Sequence, residues 1–227
     1  MTLLIMVAVL GFAYDNCAKA ASQLPSDYPE TIAVLRLLYT DQIHTYMTDV
    51  EFARKANSEN KTGCEALFKA LAMSELIQAN NIGDLLVRLG HGIPDVSPSE
   101  FSVSRTKANL KSVKKLRLAL VDIKYTFLLE QMKDEKNSTA IDQVTQAWKV
   151  RARQRELVSD ILSRLEALFG IGNRIPETFY VCQQCGTILL QMPERTCPDC
   201  QSKGLDYLPV DSSFQFHSYT DDKNAQE

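Results

Sequence analysis

From residue 30 onward the chain alternates apolar and polar positions with a helical period. Over residues 30–58, Ile32, Leu35, Leu38, Tyr39, Tyr46, Val50 and Ala53 recur at three- and four-residue steps. That spacing predicts an amphipathic helix A, ended by Asn57, Asn60 and Gly63. A second stripe, through Phe68, Leu71, Ile82, Leu85, Leu86 and Leu89, predicts helix B over 64–89, stopped by Gly90, Gly92 and Pro94. The next 17 residues, GHGIPDVSPSEFSVSRT, carry two prolines and few apolar positions, too long a link for a hairpin turn. The period returns in helix C over 106–133 and helix D over 138–169, with Asn137-Ser138 as the N-cap of D and Gly170 and Gly172 ending it. Two helices, a long crossover and two more helices describe a four-helix bundle of ferritin-like connectivity, so the fold class is mainly α.

Outside the bundle the pattern changes twice. Residues 3–13 (LLIMVAVLGFA) form an apolar run too short to span a bilayer but matching the core of a secretory signal. Ala18-Lys19-Ala20 supplies the small-x-small cleavage pattern, although no Lys or Arg precedes the run. Residues 1–20 therefore read as a signal peptide, with an uncleaved anchor or a misassigned start as the competing readings. An exported protein follows if the signal is cleaved and a cytoplasmic one if it is not; no later run predicts a membrane span. The bundle is assigned to 24–172, a small C-terminal module to 178–210 and a polar tail to 211–227. A net charge of −3 offers no basic patch for nucleic acid.

The chemistry concentrates in residues 180–200, YVCQQCGTILLQMPERTCPDC. Cys182 and Cys185 form one Cys-x-x-Cys pair, Cys197 and Cys200 another, with eleven residues between them. Each pair points two thiolates at one ion, and a ribbon brings the pairs together. Four soft sulfur ligands suit one iron or one zinc. Two disulfides are the alternative, which an export signal would favour; Gly186 and Pro198 at the turns favour the metal. Of the remaining cysteines, Cys17 lies in the N-terminal segment, and Cys64 reads as a lone packed or partly exposed thiol.

A helical bundle followed by a four-cysteine module resembles rubrerythrin. The likeness rests on Thr106-x-x-Asn109-Leu110 opening helix C, on His91-Gly92-x-Pro94 after helix B, and on Tyr180-x-Cys-x-x-Cys-Gly with Pro193-Glu194-x-x-Cys-Pro-x-Cys at the rubredoxin-like end. It covers about residues 30–208. The resemblance implies a di-iron site of inward glutamates and Glu-x-x-His pairs in the bundle, iron at the four cysteines, peroxide reduction, a redox partner and a homodimer through the bundle. This chain departs from that ligand set. The implied ligand positions fall on Gln42 of helix A, on Glu75 and Gln78 of helix B, on Arg117 and Leu120 of helix C, and on Arg151 and Gln154 of helix D. One carboxylate remains, and none of the three histidines stands at an inward position of B or D. A di-iron centre is therefore not expected.

If Glu75, Arg117 and Arg151 face inward, two guanidinium cations take the place of two metal ions, with Gln42, Gln78 and Gln154 completing the hydrogen bonding. The alternative is that both arginines reach solvent along their stems. Asp41 and His44 fall off the inward stripe and read as an exposed pair. Asp49, Glu51, Asp122, Glu130, Glu156 and Asp160 read as solvated charges, and Lys111, Lys114, Lys115 and Arg117 as a basic helix face. Tyr39, Tyr46, Tyr125 and Trp148 read as packing residues. No nucleophile–base pair or phosphate loop is present. Three functions stay open: an electron-transfer protein with one iron (or zinc) at the cysteines, an active peroxide reductase, and a non-redox zinc-ribbon interaction protein.

Overall fold

The computed structural model of the chain describes residues 27–98, 100–166, 175–202 and 206–216. The predicted signal peptide lies outside them. No helix among the described residues is long and apolar enough to cross a membrane.

Helix α1 (Pro29–Ser58) begins with Pro29, which loses nothing there because the first N–H groups of a helix have no partner inside it. The N–H groups of Glu30 and Thr31 instead donate to the Glu135 carboxylate, at 2.8 Å each, so a residue a hundred positions away caps the helix. Asn60, at φ 54°, turns the chain into α2 (Thr62–Arg88). Residues 63–72 of α2 are all buried, because α2 packs on α1, on α5 and on the C-terminal ribbon. The crossover lies along α1, where Arg36 donates to the Gly92 carbonyl (3.4 Å) and a ring nitrogen of His44 meets the Ser97 carbonyl (3.1 Å). Asn109 explains the Thr-x-x-Asn sequence. Its buried amide exchanges two hydrogen bonds with the Ser104 backbone (2.9 and 3.0 Å) and fixes how the chain enters α3.

The third helix is not the single rod that its periodicity predicts. It comprises α3 (Thr106–Ser112), a π-helical stretch (Val113–Leu118) and α4 (Val121–Met132), with a short 3₁₀ turn after it (Lys133–Glu135). A π turn bonds i to i+5 and takes up extra residues, which shifts the register of everything beyond it. Leu118 and Val121 go inward as a result, and Leu120, expected inward, is 61% exposed. Leu116, Ile123 and Phe127 are exposed as well, at 79%, 69% and 60%. Helix α5 (Ser138–Glu166) starts under the Asn137 side chain, which accepts from Ala140 N at 3.1 Å. It is described to Glu166, short of the predicted end at 169.

The ribbon is a three-stranded antiparallel sheet of β1 (Thr178–Cys182), β2 (Ile188–Leu189) and β3 (Tyr207–Asp211), ordered β2-β1-β3. Phe179, Val181 and Val210 are fully buried and join the core of the bundle. The tail is not wholly free of structure. Asp211 closes β3, Lys69 Nζ donates to the Ser212 carbonyl (2.6 Å), and Phe216 packs edge-on against Tyr46 at 5.8 Å.

Gly186 is where the ribbon meets α2. Its φ of +81° disfavours any Cβ, and a Cβ there would lie 2.7 Å from the Ser74 carbonyl oxygen. Gly186→Ala should therefore destabilise the protein by more than about 2 kcal/mol in chemical denaturation. Wild-type stability in that variant would contradict this docking geometry.

Candidate metal centre

Two matching turns build the four-cysteine site. In the first, Cys182 N donates to the Thr187 carbonyl (2.9 Å) and Gly186 N to the Cys182 carbonyl (2.8 Å). In the second, Cys197 N donates to the Ser202 carbonyl (3.0 Å) and Gln201 N to the Cys197 carbonyl (3.0 Å). The residue after each second cysteine is left-handed: Gly186 at φ 81° and Gln201 at φ 61°. The sequence shows that requirement at Gly186 but not at Gln201.

These turns bring all four sulfurs within 4.8 Å of one another. Cys182 Sγ lies 3.8 Å from Cys200 Sγ, and Cys185 Sγ lies 3.7 Å from Cys197 Sγ. A metal–sulfur distance of about 2.3 Å puts the corners of a regular tetrahedron about 3.8 Å apart. A disulfide would need about 2.05 Å, and all four cysteines are free. The sulfurs therefore fit one tetrahedral ion. Cys182, Cys185 and Cys197 are buried, and Cys200 reaches the surface. The Cys182 thiol is held well below its usual value, chiefly by a hydrogen bond from Cys185 and then by the backbone N–H groups of Cys185 and Gln184.

Two hydroxyls flank the cluster at equivalent places, each two residues after the second cysteine of its pair. Thr187 Oγ1 is 3.2 Å from Cys185 Sγ, and Ser202 Oγ is 3.2 Å from Cys200 Sγ. They differ in what else they touch. Ser202 also faces Cys182 Sγ at 3.8 Å, whereas Thr187 donates to Asp199 at 2.7 Å. Asp199 is gripped in turn by α5, with Arg153 Nε and Nη2 donating to its two oxygens at 2.7 and 2.8 Å. Burial works against the Asp199 charge, but the Arg153 and Thr187 hydrogen bonds outweigh it and hold the carboxyl below its usual value.

The second concentration of charge lies inside the bundle. Glu75 is fully buried; its Oε2 accepts from Arg151 Nη2 at 2.6 Å and its Oε1 from Gln154 Nε2 at 3.0 Å. Arg151 also reaches Asp41 at 3.3 Å, and Asp41 pairs with Lys124 at 2.9 Å. Asp41 is thus not half of an exposed pair with His44; it completes the buried arginine's shell. Asp49, read from sequence as a solvated charge, is fully buried and takes both of its hydrogen bonds from Arg117 Nη1, at 2.9 Å each. It lies seven residues after Gln42 on the same face of α1, the spacing that could have revealed it. Burial opposes the Arg151 charge, but Glu75, Tyr125, Asp41 and Asp49 outweigh it and raise its pKa.

Gln154, Ser74 and Gln78 carry this network toward the ribbon. Gln154 donates to Ser74 Oγ (2.9 Å), Ser74 Oγ donates to the Gly186 carbonyl (2.5 Å), and Gln78 Oε1 accepts from Gln42 (3.4 Å). Arg117, Arg151, Glu75, Gln42, Gln78 and Gln154 therefore all lie in or beside the bundle centre, whereas Leu120 does not. Sequence reasoning missed Ser74, which carries no signal beyond sitting next to Glu75.

A bundle of this connectivity with a rubredoxin-like ribbon defines a rubrerythrin-type architecture. Among solved structures the chain is similar to nigerythrin in its fully reduced, all-ferrous state, with a TM-score of 0.68 and 20% identity over 92% of this chain and 100% of that one. The mixed-valence and partially reduced states of nigerythrin match over the same shares at 0.67. At that identity the likeness shows the fold. No family model matches, and no curated protein matches.

Burial raises the Asp49 carboxyl from 3.8 to about 6, with Arg117 opposing the shift, Glu75 adding to it and Arg151 opposing it. Between those values the native state holds a proton that the unfolded chain releases. The stability this group contributes is therefore complete below the unfolded value and is lost as pH rises through about 6. Urea titrations across that window should show the stability of wild type relative to Asp49→Asn falling by up to about 1.4 kcal/mol per pH unit. Parallel pH profiles for the two proteins would contradict this.

Proposed function

We propose that the chain is an electron-transfer protein with one iron at Cys182, Cys185, Cys197 and Cys200, carried on a bundle that holds no di-iron centre. The observation that supports the metal is the pair of sulfur–sulfur edges at 3.7 and 3.8 Å. Iron bound there supplies a one-electron ferric–ferrous couple in which no proton moves and no bond to the protein forms or breaks. The chain's own part is to keep three ligands dry and one at the surface. Cys200 is then the natural contact for one-electron donor and acceptor proteins.

The bundle residues do not fit two further metal ions. Two hard cations need several anionic oxygens and open coordination positions. Both Glu75 oxygens are occupied by Arg151 and Gln154, and both Asp49 oxygens by Arg117. Two guanidinium groups already supply positive charge where the metals would add theirs. Without a metal pair, no centre among the described residues would pass two electrons to peroxide at once.

A second copy of the chain is the partner we infer for the outer face of the third helix, across the π-helical stretch and α4. Leu116, Leu120, Ile123 and Phe127 are each more than half exposed and recur at three- and four-residue steps; together they leave on the order of 400 Å² of apolar surface, within the range of a functional patch. Two-fold pairing would bury roughly twice that, near the lower bound for a specific interface.

Full-length protein as isolated should be red, with a thiolate-to-iron absorption band, and should consume peroxide no faster than buffer. Colourless protein containing zinc would overturn the iron reading, and peroxide turnover would overturn the reading of the bundle. Light scattering should give a dimer for wild type and a monomer for the Ile123→Glu/Phe127→Glu double variant; a wild-type monomer would remove the second copy.

A further inference from the structure

The two cysteine turns are equivalent in their backbone but not in the hydroxyl each offers to sulfur. Thr187 and Ser202 both stand 3.2 Å from the second cysteine of their pairs. A hydroxyl has one proton to give. The Ser202 hydroxyl faces two sulfurs, Cys200 Sγ at 3.2 Å and Cys182 Sγ at 3.8 Å. The Thr187 hydroxyl, fully buried, has a carboxylate oxygen at 2.7 Å on its other side, and a charged acceptor at that distance takes the proton. Cys185 is therefore left facing an oxygen lone pair, with the Asp199 charge directly behind it. Arg153 of α5 offsets that charge through two hydrogen bonds at 2.7 and 2.8 Å.

We propose that Arg153, Asp199 and Thr187 form a relay by which the bundle sets the reduction potential of the four-cysteine site. This rests on the iron reading above. Reduction adds one negative charge to the site, so a nearby carboxylate opposes it and a nearby guanidinium assists it. A proton donated to sulfur stabilises the more negative ferrous state, while a lone pair facing sulfur does not. Thr187 and Asp199 are positioning residues here, since neither would touch the metal. Ser202 acts in the opposite sense to Thr187, although the two occupy the same place in their turns. The relay crosses from the bundle to the ribbon, so the helical scaffold takes part in the chemistry without a metal of its own.

The test uses the full chain reconstituted with iron and measures its midpoint potential by spectroelectrochemistry. Each variant is first checked for an unchanged thiolate-to-iron spectrum, and the metal of the untreated protein is assayed in parallel. Asp199→Asn should raise the potential by about a tenfold change in the redox equilibrium, 59 mV for one electron. Arg153→Gln should lower it. Ser202→Ala should lower it, and Thr187→Val should not. A common downward shift for Thr187→Val and Ser202→Ala, or an unmoved potential in Asp199→Asn, would overturn the relay. A merely structural role would loosen metal binding in all four variants without shifts of opposite sign. Zinc in the untreated protein would overturn the iron reading alone, because reconstituted iron still reports on the relay; if Thr187→Val fails to fold, the contrast of Asp199→Asn with Ser202→Ala decides.

Discussion

A carboxylate can be buried in a helical bundle only if something pays for its desolvation. Glu75 and Asp49 are both fully buried, and the arrangement around them follows from that requirement. Each meets a guanidinium on a different helix, Arg151 of α5 and Arg117 in the π-helical stretch. These pairs tie α2 to α5 and α1 to the third helix. Such pairs contribute little net stability against an apolar core of the same volume, but breaking one leaves an uncompensated charge at a cost of about 3–5 kcal/mol. The π turn belongs to the same account. It accompanies the placement of Arg117 over Asp49, and it turns Leu116 and Leu120 outward.

The ribbon is bound to this interior at two places, and both lead to the cysteines. Ser74, next to Glu75, bonds the Gly186 carbonyl between Cys185 and Thr187. Arg153, two residues from Arg151, grips Asp199 between Cys197 and Cys200. One cysteine pair is thus positioned from α2 and the other from α5. Buried Phe179, Val181 and Val210 add an apolar contact along α2, so the ribbon packs as part of the core. The charged centre and the four sulfurs are ends of one hydrogen-bonded structure.

Much of this was legible in the sequence. Helical periodicity with glycine and proline stops located α1, α2 and α5 to within a few residues, because those helices are long and uninterrupted. Cys-x-x-Cys spacing located the sulfur cluster, since four thiols in two tight turns have few other uses. The third helix was misread because a π turn has no compositional mark, and a one-residue register shift moves Leu120 from the interior to the surface. Asp41 and Asp49 were misread because a charged residue on a helix is usually solvated; the arginines on other helices hold Asp49 in the interior and Asp41, partly exposed, at its edge. Thr187 and Ser202 carried a signal that was available, a hydroxyl at the same offset in both turns. The Asp199–Arg153 link depends on how α5 meets the ribbon and could not be read locally.

We infer that the bundle's own salt bridges close its interior to metal and leave the four-cysteine cluster as the metal site among the described residues. Anomalous diffraction from crystals of the full chain, recorded on both sides of the iron edge, tests it directly. One peak per chain is expected, centred among Cys182, Cys185, Cys197 and Cys200, with Arg151 still bonded to Glu75. Peaks beside Glu75 and Asp49, with the two arginines displaced, would contradict it.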